Sequence, residues 1–143
     1  MRALCLHNAS GELPDEQRGR FGRIDERFDL SVGKVYDVLA MGVFESVLQV
    51  LVRDETGAPC FCPAALFKID EQLFPQGWRF ALRDGVRLAG RRSWTEWVAV
   101  WGYAEITSDE RHMNDLGERV PKALEVFERE YLKASSSEEE SAG

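Results

Sequence analysis

The sequence is short of the residues that build most reactive sites. Two histidines and three cysteines in 143 residues leave few candidates for an imidazole base or a four-ligand metal centre. No apolar run approaches the roughly 20 residues that cross a bilayer, and the N-terminus reaches Asn8 and Ser10 without the apolar core of a signal peptide. The expectation is a cytoplasmic protein with no membrane segment, in which three cysteines read as reduced thiols rather than a disulfide framework. Positive charge is in the minority, with 18 Lys and Arg against 25 Asp and Glu and a net charge of −7. Phosphate backbones repel such a chain unless its cations gather on one face, so nucleic acid is a disfavoured partner.

What is present is a core for one domain: 44% of the residues are hydrophobic, and the length fits the roughly 100–200 residues of a single unit. Residues 2–7 form a first strand, whereas residues 10–27 carry Pro14 and three glycines and follow neither hydrophobic period, as a loop does. A strand is expected over Val35–Met41 and a half-buried one over Phe44–Arg53, with Phe44, Leu48, Val50 and Val52 on one face. Asp54-Glu55-Thr56-Gly57 then makes a tight hairpin into Ala58–Cys62. Further strands are expected over Trp78–Leu82, Val86–Leu88 and Trp94–Ile106. In the last of these, strict alternation puts Trp97, Ala99, Trp101 and Tyr103 on one face and Val98, Val100 and Ile106 on the other, a strand covered on both sides. Leu116, Val120, Leu124, Phe127 and Tyr131 form the inner stripe of one C-terminal helix. Residues 1–133 therefore read as one domain, and 134–143, rich in Ser and Glu, as a disordered acidic tail.

Two motifs carry a resemblance. Gly33-Lys34-Val35-Tyr36-Asp37-Val38 and Pro63-Ala64-Ala65-Leu66-Phe67 resemble the "GKxYxV" strand and "PAxLF" turn of a group of small bacterial proteins, and the second is similar to the end of an SH3-type barrel. The resemblance implies a mainly β fold: an SH3-like small barrel near residues 28–70, extended by antiparallel strands and closed by one C-terminal α-helix. It also implies a binding module of the kind met in bacterial immunity proteins, which neutralise a cognate toxin. Neither motif holds a catalytic residue. No Ala-Leu-Tyr-Asp-Tyr stretch opens the barrel and Phe61 is the one aromatic between Cys60 and Pro63, so a groove for Pro-rich peptides is not expected.

The remaining clusters are weighed by chemistry. Cys60 and Cys62 share a strand face, as do Cys5 and His7, and together they offer three sulfurs and an imidazole to zinc. The one-residue spacing splays such ligands, so these thiols are expected to be buried, with no metal and no cofactor. His112 lies in a polar connection, and Asp54/Glu55 and Asp70/Glu71 sit in turns, where they read as solvated. Gly19-Arg20-Phe21-Gly22 neither follows a clear strand nor opens a helix, unlike a phosphate loop. Arg79, Arg83, Arg87, Arg91 and Arg92 precede Trp94, Trp97, Trp101 and Tyr103, an interleaving that a single-stranded nucleic-acid platform uses. The same residues also suit a rim of Arg stems over packed tryptophans, and the net charge favours this second reading. The expected function is a noncatalytic protein-binding module with one protein partner, a basic toxin being the natural complement. Asp54 and Glu55 would serve as rim charges, and an uncovered member of Trp78, Trp94 and Trp97 as the anchor. A nucleic-acid-associated regulatory protein using the Arg79–Arg92 stripe is the alternative.

Overall fold

The computed structural model describes residues 1–17, 26–44, 46–69, 73–83 and 97–142, with side chains through Ser136. Among the described residues there are eight strands: β1 (Arg2–Cys5), β2 (Val35–Asp37), β3 (Ala40–Phe44), β4 (Val47–Arg53), β5 (Pro59–Pro63), β6 (Phe67–Lys68), β7 (Arg79–Leu82) and β8 (Trp97–Gly102). Three helices follow: α1 (Ala104–Ser108), α2 (His112–Gly117) and α3 (Pro121–Ala142). The strands form two antiparallel sheets, ordered β2-β1-β6 and β5-β4-β3-β8-β7.

This arrangement corrects the expected SH3-like barrel with a single terminal helix. Both sheets are open, and strand and helix are roughly balanced. The divergence begins within what reads as one strand over Val35–Met41. Val38 donates its N–H to the Met1 carbonyl, at 2.7 Å, while Leu39 donates to the Leu51 carbonyl, at 2.9 Å. Two neighbouring residues are thus bonded to different sheets, and the chain passes from one to the other instead of closing a barrel. The strand expected over Phe44–Arg53 runs from Val47 to Arg53; Phe44 ends the strand before it, the chain turning at Ser46 with φ 67° so that Phe44 pairs with Val47.

β4 links two cores because Val50, Leu51 and Val52, which alternate between its faces, are all buried. Val50 and Val52 join Cys5, Tyr36, Cys62 and Leu66 in a core shared with the smaller sheet. Leu51 points the other way, into a core with Val100, Ile106, Leu116 and Phe127 beneath the helices. At roughly 1.5–3 kcal/mol for each large side chain buried, these two cores supply most of the folding drive.

In β8 the expected alternation breaks. Val43 pairs with Ala99 and Phe44 with Trp97, so Val98 is an extra residue in a bulge. Trp97 consequently turns to the helix side with Phe44 and Gly42, opposite Trp101. Gly42 makes the room, since a Cβ there would lie 2.6 Å from the Trp97 ring. At the end of β8 the chain folds back into α1 directly after Gly102, where a Cβ would meet that of Ala40 at 2.7 Å.

The C-terminal stripe is divided between two helices. α2 ends at Gly117, Arg119 adopts a left-handed φ of 57°, and Pro121 opens α3, a position where its missing N–H costs no bond. Leu116, Ala123 and Phe127 are buried, with Val120 and Tyr131 partly covered. α3 runs on to Ala142, across residues whose composition reads as unstructured. Ala134 still packs against the helix-side core, and Ser135 donates to Asp37 Oδ2 at 3.3 Å. Once its first turns are held by packing, a helix extends at low cost. Among the described residues no helix is long and apolar enough to cross a membrane.

Candidate functional site

The hairpin between β4 and β5 forms where the acidic turn predicts it, but its carboxylates are occupied. Asp54 Oδ1 accepts from the Thr56 N–H at 2.9 Å, the Thr56 hydroxyl at 2.5 Å and the Ala58 N–H at 3.0 Å, closing an Asx turn. Gly57 completes it at φ 85°. Glu55 Oε1 accepts from Lys34 Nζ at 2.8 Å and from the Tyr36 hydroxyl. The bond from Lys34, and then that from Tyr36, hold the Glu55 carboxyl below its ordinary range. Burial, with Glu55 adding to it, pushes the Tyr36 phenol up to about 12. The Lys34-x-Tyr36 pair of the first motif therefore ties the hairpin tip to the loop before β2. Both acidic residues are thus hydrogen-bonded within the fold, with Glu55 still exposed.

The aromatics divide between the two faces of the larger sheet. Trp97 is half-buried on the helix side, its ring 5.1 Å from Phe44 and 5.2 Å from Phe61. Trp94 lies outside the described residues. On the other face Trp78 stacks on Phe74 at 5.5 Å, Phe74 on Trp101 at 6.0 Å, and Trp101 meets Phe80 at 5.0 Å. Register lines up Phe80, Trp101, Met41, Val50 and Cys62 across five strands. Val50 and Cys62 are covered by the smaller sheet, whereas Phe80 is open. Leu73 is 81% exposed, Leu82 72%, and Phe74 and Phe80 51% each. These side chains leave apolar surface exposed. Of the expected anchors within the described residues, Trp78 stands in this ladder and Trp97 on the opposite face. Phe74, Phe80 and Trp101 were missed, although the alternation Phe80-Ala81-Leu82 beside Arg79 already shows an apolar face.

Of the basic stripe, Arg79 and Arg83 lie within the described residues. Arg83 Nη2 donates to the carbonyls of Ile106 and Thr107, both at 2.9 Å, and so caps the end of α1. Arg79 is exposed, while Arg87, Arg91 and Arg92 lie outside the described residues. The thiols gather in the core between the sheets, with Cys5 and Cys62 buried and Cys60 partly so. A hydrogen bond with Cys60, followed by burial, raises the Cys62 thiol well above its ordinary value, the opposite of an activated nucleophile. Among the described residues no three His, Cys, Asp or Glu side chains converge on a metal position.

His7 is exposed and its Nδ1 lies 2.7 Å from Glu12. His112, expected as a solvated or capping residue, is buried, its Nε2 2.5 Å from the Tyr103 hydroxyl. Burial lowers the imidazole's pKa and raises the phenol's, so at neutral pH the phenol donates to a neutral ring. A cleft of about 330 Å³ lies between the hairpin and α3, lined by Thr56, Pro59, Arg119, Leu124, Phe127 and Glu128. Its one carboxylate is already paired with Arg53, at 2.7 Å.

The chain matches no family model, no curated protein and no solved structure. The expected kinship with SH3-like immunity proteins is therefore corrected on two grounds. The sheets do not close, and no family supports the two motifs, which here serve as a hairpin tie and as the 3-10 turn Ala64–Leu66 leading into β6.

Proposed function

We propose that this chain is a noncatalytic protein-binding module that takes one protein partner on the aromatic face of its larger sheet. The observation that carries this reading is the ladder Trp78-Phe74-Trp101-Phe80, flanked by Leu73 and Leu82 and left half open. Aromatic side chains bring large contact areas at low entropic cost, and such residues dominate protein interfaces. Asp54 and Glu55 contribute by fixing the hairpin, and Trp97 by supporting the sheet from behind.

Immobilised wild-type protein and the surface variant Phe80→Ser/Leu82→Ser are used to capture proteins from cells, and each captured protein is purified and titrated. Loss of a true anchor costs about 2 kcal/mol or more, which is roughly a 30-fold weaker Kd. Equal affinity for both proteins would refute the reading. Retention of nucleic acid alone, with an affinity falling steeply in salt, would favour the nucleic-acid alternative instead.

A further inference from the structure

The larger sheet has two edges, and they are built differently. On β5, Asp54 donates to the Ala58 carbonyl at 2.9 Å, so by antiparallel alternation Ala58, Cys60 and Cys62 bond inward while Pro59, Phe61 and Pro63 face out. Two of those three outward positions are prolines, which have no N–H to offer, and this is a common way of blocking an edge. On β7, Arg83 donates inward to the Val98 carbonyl at 2.7 Å. Phe80 and Leu82 therefore point their N–H and C=O groups outward, and no proline intervenes. Among the described residues no strand pairs with that edge.

We infer that the outer edge of β7, unpaired among the described residues, accepts an extended strand of the protein partner, one whose side chains alternate apolar and acidic. The inference rests on the binding reading above and names the form of the partner. Residues opposite Phe80 and Leu82 would share their face and extend the aromatic ladder, since paired residues of adjacent strands stand on the same side. Residues between them would stand on the face of Arg79. Arg79 is exposed, has no ion-pair partner among the described residues, and lies in a stretch, 73–83, without a carboxylate, in a chain of net charge −7. It is a cation left for an incoming acid. A second copy would bring the same carboxylate-free strand to the edge and leave Arg79 unanswered, so charge complementarity favours a partner of different sequence. Main-chain bonds at the edge would supply affinity and the alternating side chains specificity, the division of labour in strand addition.

The probe is a phage-displayed library of random ten-residue peptides selected against the full chain, followed by synthesis of the best binder. The selected peptides should alternate apolar and Asp or Glu. N-methylation of one alternate set of amides should weaken binding at least tenfold, while methylation of the other set leaves it within about twofold, because only one set faces β7. Arg79→Glu should weaken the acidic peptide several-fold, with recovery when its acid is changed to Lys. If both methylated series bind alike while Phe80→Ser loses the peptide, the face docks side chains without strand addition. This inference then fails and the binding reading stands. If no peptide is selected although a protein partner still binds through Phe80, the inference likewise fails. If Phe80→Ser changes nothing for peptide or protein, both fail together. A dimer of this chain that Leu82→Pro dissociates would make the occupant a second copy and overturn the inference.

Discussion

Replacing Gly42 by alanine tests the bulge that turns Trp97 to the helix side. A Cβ at position 42 would sit 2.6 Å from Cζ3 and 2.8 Å from Cε3 of Trp97, and 3.0 Å from the Ala99 carbonyl oxygen. Two effects compete. Alanine loses less backbone entropy than glycine in a strand, a gain of about 0.5–1 kcal/mol. Forcing the indole aside costs about 1–3 kcal/mol by overpacking, and the ring has little freedom to move because Phe44 and Phe61 flank it at 5.1 and 5.2 Å. The expected net effect is a loss of about 1–2 kcal/mol. Urea unfolding followed by tryptophan fluorescence should show a lower midpoint at unchanged slope, the sign of altered stability without altered compactness. In a Trp97→Leu background most of the obstacle is gone, and Gly42→Ala should then be close to neutral. The double-mutant cycle should give a coupling of about 1 kcal/mol or more. Additivity within about 0.5 kcal/mol would refute the reasoning, because it would place the indole on the Trp101 face where strict alternation puts it.

Two other outcomes are expected. Burial holds the His112 imidazole below its ordinary value, with Asp109, Glu105 and Asp115 opposing more weakly, so the unfolded chain takes up a proton that the folded one refuses. Stability is complete above a pH of about 6.5 and declines as pH falls below it. Urea midpoints taken from pH 7 down to 5 should therefore fall less steeply for His112→Gln than for the parent, and identical slopes would count against the buried neutral ring. Arg83→Met should lower stability by about 1–2 kcal/mol through the lost charged bonds to the α1 carbonyls, whereas Arg79→Met should stay within about 0.5 kcal/mol. Equal effects in thermal melts would mean that the two arginines share one role after all.

Local chemistry alone determines a good deal here. Asp54 and Gly57 specify their hairpin because an Asx turn and a left-handed glycine are satisfied within four residues. Pro63-Ala64-Ala65-Leu66 makes its 3-10 turn for the same local reason. The spacing of Leu116, Val120, Phe127 and Tyr131 marks the helix-side core even though the helix is broken at Arg119. The choice of sheet was a different matter. Whether the strand after Tyr36 continues or crosses depends on Met1 and Leu51, which receive the bonds of Val38 and Leu39, and no pattern of alternation contains that information. The faces of Trp97 and Trp101 depend on one extra residue in β8, and a shift of one residue reverses every side chain beyond it. Glu55 looks solvated in sequence because Lys34 and Tyr36, its partners, are 21 and 19 positions away. The ladder of Phe74, Phe80 and Trp101 lies on the face of the larger sheet whose other end, at Val50 and Cys62, packs against the smaller sheet. The sequence by itself determined which residues are apolar, where the local turns fall and which segments alternate. Pairing between distant strands alone decided which of those faces were buried and which was left open.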